Sequence, residues 1–235
     1  MRLRITFSKG GPLTYTSHLD LARVWERSLR RAGVPLAYSG GFTPRPKLQL
    51  AAALPLGHTG AAELLDVWLE QPVPVEEFAR TLVPVLPAGL AVSQVCEVGL
   101  KEPALQTQVV AAEYRVTVEP CPEPVEGACP EPVEGARPEP VGGWDEAAEQ
   151  IEARIREVLA AMELWQERRG RRHDVRPLIE RLWLERAGRD EIVLGMQLAA
   201  REGATLRPEA VLEVLGMGGA FARYHRQRLL LATGA

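Results

Sequence analysis

The fold is decided at the start of the chain, where residues 2–20 read RLRITFSKGGPLTYTSHLD. Polar and apolar residues alternate over residues 2–8, and this period of two places Leu3, Ile5 and Phe7 on one face. Such alternation is typical of a strand with one face in the core and the other in water. The stretch therefore predicts a half-buried first strand, which the following Gly-Pro loop ends.

A helix is predicted directly after that loop. Ser17 is a preferred N-cap residue, and Asp20 follows three positions later, as in a capping box with Asp in place of Glu. Gly33 suits the end of this helix, because glycine readily adopts the left-handed conformation of a C′ position. The stripe expected to face the core comprises Leu21, Val24, Trp25, Ser28, Leu29 and Ala32.

The remaining apolar periods and Gly or Pro breaks give the order of the elements. In the first half they predict strands at residues 48–53, 63–70 and 90–98 and a helix at residues 75–86. In the second half they predict strands at residues 109–119, 164–168, 175–185, 191–200 and 224–231, with helices at 144–162 and 208–215. The first half thus has the order β-α-β-β-α-β, and the second half repeats it with an additional strand.

We therefore predict an α+β protein made of two tandem ferredoxin-like (βαββαβ) domains. The N-terminal domain, with a basic surface, takes residues 1–103 and the C-terminal domain takes residues 104–235; one larger mixed sheet is the alternative. An octapeptide rich in Pro, Glu and Gly is repeated within residues 120–143. Such a composition cannot bury a core, so we predict a disordered or polyproline-like insertion there.

Charge is distributed unevenly along the chain. Residues 1–60 hold nine Lys or Arg against two acidic residues, a net charge of +7, although the whole chain carries −3. A local excess of this kind can attract a polyanion. Lysine occurs only as Lys9, Lys47 and Lys101, and the planar fork of arginine suits phosphate. RNA is therefore a candidate partner, while a coding bias toward arginine explains the same composition without one.

The chain shows no sign of a membrane segment. Charged residues interrupt the first strand at once, so there is no apolar stretch of the kind that a signal peptide needs. No later segment reaches the length of a membrane span. We therefore expect a soluble, cytoplasmic protein without a membrane partner, and no motif predicts a cofactor or a metal site.

The loop between the first strand and the first helix is one candidate anion site. Backbone N–H groups at Gly10, Gly11 and Ser17, together with the positive end of the helix dipole, favour an anion, with Lys9 close by. The loop lacks the G-K-[ST] of a Walker motif, which disfavours nucleotide hydrolysis. His18 is the candidate general base, since the dipole favours its neutral form; the alternative is a histidine that packs at the helix cap.

A second candidate surface follows the first helix. Residues 38–48 form a Gly/Pro-rich loop that presents Phe42, Arg45 and Lys47. An aromatic ring beside cations is what proteins use to stack single-stranded bases and to contact phosphates. Arg23 and Arg27, on the outer face of the helix, are predicted to extend this surface. The alternative is that Phe42 fills the core.

These motifs resemble a known family. The strings FSKGGPL, SHLD, R-x-G-x-P-L-A-Y-S-x-G-F-x-P-x-P and A-L-P-L-G are similar to the N-terminal signature of the radical SAM-linked proteins, and later segments of the chain echo that family. The resemblance implies an accessory protein that works with a radical-SAM protein. The three cysteines, Cys96, Cys121 and Cys129, do not form a C-x3-C-x2-C triad, so the partner would hold the iron–sulfur cluster.

The resemblance and the residues leave three functional hypotheses. The first is a non-catalytic accessory or substrate-binding subunit of a radical-SAM enzyme that binds RNA. The second is a metal-independent endoribonuclease, because the tandem order with an early helical histidine resembles the CRISPR repeat-processing enzymes, whose histidine takes part in RNA cleavage. The third is a protein–protein adaptor. Enzymatic activity stays open, since the sequence contains no complete catalytic constellation.

Overall fold

The computed structural model describes residues 1–119, 144–168, 170–188 and 191–232. The protein is a mixed α+β structure, and its described strands form one large, mostly antiparallel sheet of nine strands and a separate two-stranded hairpin. Its contacts divide the chain into two units: Met1–Ala112 with His225–Ala235, and Glu113–Tyr224. The C-terminal strand therefore begins in the second unit and continues into the first. The predicted repeats at residues 120–143 lie outside the described residues.

The first unit has the element order β-α-β-β-α-β before a short helix and a further strand. The elements are β1 (Arg2–Lys9), α1 (His18–Arg31), β2 (Leu48–Leu50), β3 (His58–Trp68), α2 (Val75–Leu82), β4 (Leu90–Val98), α3 (Leu105–Gln108) and β5 (Val109–Glu119). In its sheet β1 lies between β3 and β4, and β2 pairs with β3 opposite residues 65–67. The order across the sheet is therefore β4-β1-β3-β2.

The core of this unit lies between one face of the sheet and the two longer helices. Leu3, Ile5 and Phe7 of β1 are completely buried, as the alternation predicts. Trp25 of α1 packs edge-on against Phe7, with ring centroids 4.8 Å apart. The large stripe of α1 buries Leu21, Trp25, Ser28 and Leu29. Burying side chains of this size stabilises the unit by roughly 1.5–3 kcal/mol each.

The opposite face of β1 is less exposed than its alternation indicates. Arg2 is only 1% exposed, and its guanidinium donates to Asp66 and to the carbonyl oxygens of Glu102 and Pro103. Arg4 donates to the same carboxylate, with 2.8 Å between Nε and Oδ1. The residues at 102–108 thus cover this face, and a period of two cannot reveal a cover that comes from so far along the chain.

The second unit continues from β5. Its elements are α4 (Trp144–Ala160), β6 (Trp165–Arg168), β7 (Arg171–Asp174), β8 (Ile179–Ala187), β9 (Ile192–Arg201), β10 (Ala204–Thr205), α5 (Pro208–Val214) and β11 (Phe221–Leu231). Strand β9 pairs with β5 along one edge and with both β8 and β10 along the other. Strand β11 pairs with the opposite edge of β5. The strands β6 and β7 form a separate hairpin. In this part of the nine-stranded sheet the order is therefore β11-β5-β9-β8, with β10 also paired to β9.

Most predicted elements are confirmed, and several differ at their bounds: β2 ends at Leu50, β3 begins at His58 and β11 begins at Phe221. The predicted strands at residues 90–98 and 109–119 agree with β4 and β5. The predicted strand at 175–185 begins instead as a 3-10 turn at Arg176–Leu178, because Pro177 lacks the N–H that a ladder needs. The predicted helix at 75–86 ends at Leu82, where a turn containing Pro84 follows.

Candidate nucleic-acid interface

The glycine loop after β1 is folded against a neighbouring turn. The N–H of Gly10 donates to the carbonyl oxygen of Gly89 at 2.9 Å, and the N–H of Leu13 donates back to Gly10. Gly89 has φ +95°, and a Cβ there would lie 2.4 Å from the carbonyl oxygen of Gly10, so only glycine fits. Gly11 is exposed. The N–H of Gly10 is therefore engaged within the protein, unlike the free donor that the sequence predicts.

Lys9 lies inside the protein rather than on the predicted surface. Its side chain is 1% exposed, and Nζ donates to the carbonyl oxygens of Thr14 and Thr16, each at 3.2 Å. Burial lowers the pKa of Lys9, against the opposing influence of Glu63. The ammonium therefore holds the loop to β1, and Lys9, Gly10 and Gly11 lie outside the binding surface that we propose.

The first turn of α1 has the predicted cap. The Ser17 side chain accepts from the N–H of Asp20 at 3.1 Å, and its hydroxyl donates to the Asp20 carboxylate at 2.7 Å. Arg23 pairs with Asp20 at 2.8 Å. The hydrogen bond from Ser17, then that from Arg23, lowers the pKa of Asp20. The Ser17 side chain is thus engaged in the cap, and the Asp20 carboxylate already places a negative charge at the N-terminus of α1.

His18 lies beside the cap and is half-buried. Its Nδ1 is covered and has no hydrogen-bond partner within the described residues. Burial, followed by the charge of Arg226, lowers the pKa of His18. The lowered pKa favours the neutral imidazole, through burial and Arg226 rather than through the helix dipole, so His18 offers hydrogen bonding rather than positive charge.

The loop of residues 38–47 projects into solvent. Ser39 and Arg45 close it, because the N–H of Ser39 donates to the carbonyl oxygen of Arg45 at 2.8 Å and the N–H of Arg45 donates to Ser39 Oγ at 3.0 Å. Phe42, at the tip, has 111% relative exposure, so it does not fill the core. Arg45 and Lys47 are exposed too. This loop presents its ring and both cations to solvent.

The outer face of α1 adds further positive charge. Its exposed arginines are Arg23, Arg27, Arg30 and Arg31. Of these, Arg23 forms a salt bridge with Asp20, Arg27 acts on the same carboxylate through its charge, and no salt bridge of Arg27, Arg30 or Arg31 is found within the described ranges. We call this face of α1, together with the loop of residues 38–47, the basic surface. It contains Arg23, Arg27, Phe42, Arg45 and Lys47 of the predicted site.

A cavity of about 440 Å³ lies between the first turns of α1 and the end of the loop of residues 38–47. Its polar lining consists of His18 from the first turn of α1, Lys47 at the end of the loop, Gln49 from β2 and Gln106 from α3. Gln49 Oε1 accepts from the N–H of Leu105 at 3.0 Å. The structure therefore brings together His18 and Lys47, which the sequence assigned to separate motifs.

The apolar lining of the cavity comes from Ala22, Leu48, Leu50 and Trp68. The guanidinium of Arg2 lies 4.9 Å from the centroid of the Trp68 ring and holds that ring in place. Sequence reasoning missed Trp68, Gln49 and Gln106. Trp68 falls inside the predicted strand at residues 63–70, and no sequence pattern marked it or the two glutamines as part of a site.

In the described ranges no group of His, Cys, Asp and Glu is arranged to hold a metal ion. Across the same ranges, none of the helices is both long enough and apolar enough to span a membrane.

The fold and the site define an α+β protein that presents a basic and aromatic surface next to a small cavity. A family model matches residues 2–208, and the chain belongs to that family, described as an uncharacterized protein conserved in bacteria (DUF2344). No curated protein matches the sequence.

Several solved structures are similar to the chain at low identity. A chain from the crystal structure of a Cbf5-Nop10-Gar1 complex is 12% identical, with a TM-score of 0.47, over 97% of this chain and 48% of that one. A chain from an H/ACA RNP bound to a substrate RNA containing 2'-deoxyuridine is 12% identical, with a TM-score of 0.47, over 97% and 47%. An unknown protein from Galdieria sulphuraria is 12% identical, with a TM-score of 0.24, over 97% and 98%. The chain spans about half the length of the first two.

Proposed function

We propose that this chain is a non-catalytic, substrate-binding companion of a radical-SAM enzyme and that its substrate is RNA. The observation that carries the RNA proposal is the fully exposed ring of Phe42 on a loop with exposed Arg45 and Lys47. Burying such a ring stabilises a protein by roughly 1.5–3 kcal/mol, so exposing it forgoes that gain. In a complex with single-stranded RNA the ring can stack on a base while Arg45 and Lys47 contact phosphates. The stacking then supplies the stabilisation that the exposed ring lacks in the free protein.

The outer face of α1 supports a track for the RNA backbone. Arg27, Arg30 and Arg31 are exposed there. Because His18 of α1 and Lys47 line the same cavity, the start of the helix lies next to the end of the loop. A strand of RNA that stacks on Phe42 can therefore continue along the helix, where arginine forks suit its phosphates.

The radical-SAM part of the proposal is supported by the sequence motifs. They resemble the radical SAM-linked proteins, and the chain lacks a cysteine triad for a cluster. The partner would hold the cluster and S-adenosylmethionine, and both proteins would work in the cytoplasm. Affinity purification from the native host is expected to recover a protein with a C-x3-C-x2-C motif. Repeated recovery of other proteins alone would contradict this part.

We also propose that each unit is ferredoxin-like. The support is the order of the strands, which is β4-β1-β3-β2 in the first unit and β11-β5-β9-β8 in the second. If the four strands of each βαββαβ unit are numbered along the chain, both orders read 4-1-3-2. The hairpin of β6 and β7 is then an insertion between α4 and β8. A crystal structure in which either unit lacks this order would contradict the proposal. The predicted domains 1–103 and 104–235 stay a prediction.

Fluorescence anisotropy with a labelled single-stranded RNA of about ten nucleotides tests the RNA proposal. Phe42→Ala removes the stacking ring, and we expect affinity to fall about five- to hundredfold. Phe221→Ala is the matched control, because Phe221 is 63% exposed in the other unit. A fall of equal size in both variants would contradict a specific role for Phe42.

Salt dependence tests the cations separately. Arg45→Gln and Lys47→Gln each remove one phosphate contact, so each is expected to reduce the slope of log affinity against log salt by about 0.7. Arg80→Gln, at an exposed position on α2, is the control and should leave the slope unchanged. Absence of any RNA binding at low salt, together with retained binding of the radical-SAM partner, would favour a protein–protein adaptor instead.

A metal-independent endoribonuclease is the second candidate function. The observation that favours it is that His18, with a lowered pKa, lines one cavity with Lys47. A neutral imidazole can accept a proton, and an adjacent ammonium can stabilise developing negative charge. Purified protein would then cleave RNA in EDTA, and His18→Ala would abolish cleavage. Binding of RNA without cleavage of any RNA pool would remove this candidate.

A further inference from the structure

We propose that the cavity beside β2 is a pocket for one unpaired nucleobase of the bound RNA, with the phosphate of that nucleotide at Lys47. The inference rests on the RNA binding proposed above and adds what the cavity recognises. Its volume of about 440 Å³ lies within the roughly 300–1,000 Å³ of small-molecule pockets. Lys47 belongs to both the cavity and the exposed loop, so an RNA on the loop passes the entrance of the pocket.

The aromatic wall of the pocket suits a flat ring. Trp68 is half-buried on β3, and the guanidinium of Arg2 covers one face of its indole at 4.9 Å. Arg2 is itself held by Asp66 and by two backbone carbonyl oxygens, so it fixes the orientation of the indole. A ligand in the cavity can meet the other face or the edge of the ring. A nucleobase gains from either arrangement.

The polar groups of the pocket can read the edge of a base. The hydrogen bond from Leu105 engages Gln49 through Oε1, which leaves the amide N–H groups for a ligand. Gln106 donates through Nε2 to the carbonyl oxygen of Leu50 at 3.3 Å, which leaves its own carbonyl oxygen as an acceptor. Gln49 thus offers hydrogen-bond donors and Gln106 offers an acceptor, both in fixed positions. The edge of a nucleobase carries acceptors and donors that can pair with them.

The backbone of β2 contributes a second pair of groups. Lys47 accepts from the N–H of Trp68, and Ala51 donates to the carbonyl oxygen of Leu64. In an antiparallel pair the hydrogen-bonded positions alternate, so the N–H and carbonyl of Leu48 point away from β3. Leu48 lines the cavity. The outer edge of β2 therefore offers a further donor and acceptor in fixed positions.

The charge of the residues that line the cavity favours a nucleotide over a peptide as its ligand. Lys47 is its cation, and no carboxylate is among the residues that line this cavity. His18 adds a neutral ring nitrogen, since burial lowers its pKa. A flat, polar ligand that carries a phosphate fits this combination. A peptide strand fits less well, because β2 is only three residues long and gives an added strand little to pair with.

Isothermal titration of the full chain with nucleoside 5′-monophosphates, ribose 5-phosphate and inorganic phosphate tests the inference. We expect at least one nucleoside monophosphate to bind about tenfold or more tightly than ribose 5-phosphate, because only the former brings a stacking base. Ala22→Leu fills the cavity from α1 and should weaken nucleotide binding about tenfold or more. Ala79→Leu is the matched control, since Ala79 is half-buried on α2 and does not line the cavity.

The outcomes separate this inference from the proposed function. If the wild-type protein binds the labelled RNA but binds no nucleoside monophosphate more tightly than ribose 5-phosphate, the pocket is refuted while RNA binding stands. If neither binds, both are refuted. Should Ala22→Leu fail to fold by circular dichroism, Gln49→Ala serves instead, and unchanged selectivity for the base in that variant would overturn the pocket.

Discussion

Glu63→Gln is expected to be among the most destabilising single changes in the first unit. Glu63 is 4% exposed and Arg226 is 2% exposed. Arg226 Nε donates to Glu63 Oε1 at 2.7 Å, and a second guanidinium nitrogen contacts Oε2. The same guanidinium donates to the carbonyl oxygen of Ala53 at 3.2 Å. The pair therefore holds β11 to β3 and to the segment before β3.

The size of the loss in unfolding free energy depends on how many buried charges lose their partner. Breaking a buried ion pair from one side costs about 3–5 kcal/mol, because the remaining charge stays buried. In Glu63→Gln two buried cations, Arg226 and Lys9, lose the same carboxylate, and its influence currently raises the pKa of Lys9. In Arg226→Met the carboxylate still has Lys9 nearby. We therefore expect the loss in Arg226→Met to be smaller, about 3 kcal/mol, at the lower end of that range.

Urea denaturation followed by tryptophan fluorescence measures both losses. A change of about 3 kcal/mol moves the midpoint by about 1–3 M urea for typical denaturant slopes. Glu157→Gln is the control, since Glu157 pairs with Arg154 at 2.8 Å in an exposed position, where a pair contributes about 0–1 kcal/mol. Equal midpoints for Glu63→Gln and Glu157→Gln, or a larger loss in Arg226→Met, would refute the reasoning.

The pH dependence of Glu63→Gln gives a second readout of the same argument. The pKa of Lys9 is lowered by burial, and loss of Glu63 lowers it further. The unfolded chain then binds more protons than the folded chain between the folded pKa of Lys9 and its ordinary value of 10.5. The stability of Glu63→Gln relative to wild type should accordingly rise as pH rises through that window.

Three further expectations concern local structure. Ser17→Ala removes the N-cap of α1 and should cost about 1 kcal/mol, seen as a lower midpoint in thermal unfolding. Because the pKa of Asp20 is lowered in the folded protein, Asp20 contributes to stability at pH values above its ordinary pKa, and this contribution is lost as pH falls through the folded pKa. Asp20→Asn should therefore flatten that part of the curve of stability against pH. In Gly195→Ala the new Cβ would lie 2.0 Å from the Trp183 ring, so urea denaturation should show a loss of about 1–3 kcal/mol, whereas Gly188→Ala, with no close contact, should unfold like wild type.

Local sequence patterns predict the elements well where the forces are local. The cap at Ser17 and the stop at Gly33, which has φ +68°, depend on neighbouring residues, and both are confirmed. The strand at residues 90–98 and the strand at residues 109–119 are bounded by Gly, Pro and charge, and these too are confirmed. In each case the signals that set the bounds of the element lie within a few positions.

Burial of polar residues could not be predicted in the same way. Arg2 and Lys9 have the sequence context of surface cations, yet their partners include backbone carbonyl oxygens of Glu102 and Thr14. For Arg2 the partner lies a hundred positions along the chain. The cavity has the same character, because Gln106 donates to Leu50 of β2 across 56 positions of the chain. Periodicity reports which face is apolar and leaves open what covers the other face.

The positive charge of residues 1–60 therefore has two roles that the sequence does not separate. Arg2 and Arg4 share the carboxylate of Asp66 and stabilise the fold, because their charges are satisfied inside it. The exposed cations lie instead on α1 and at Arg45 and Lys47. A phosphate can approach only this second group. Substitution of Arg2 should therefore change the unfolding free energy, whereas substitution of Arg45 should change the salt slope of RNA binding and leave unfolding unaffected.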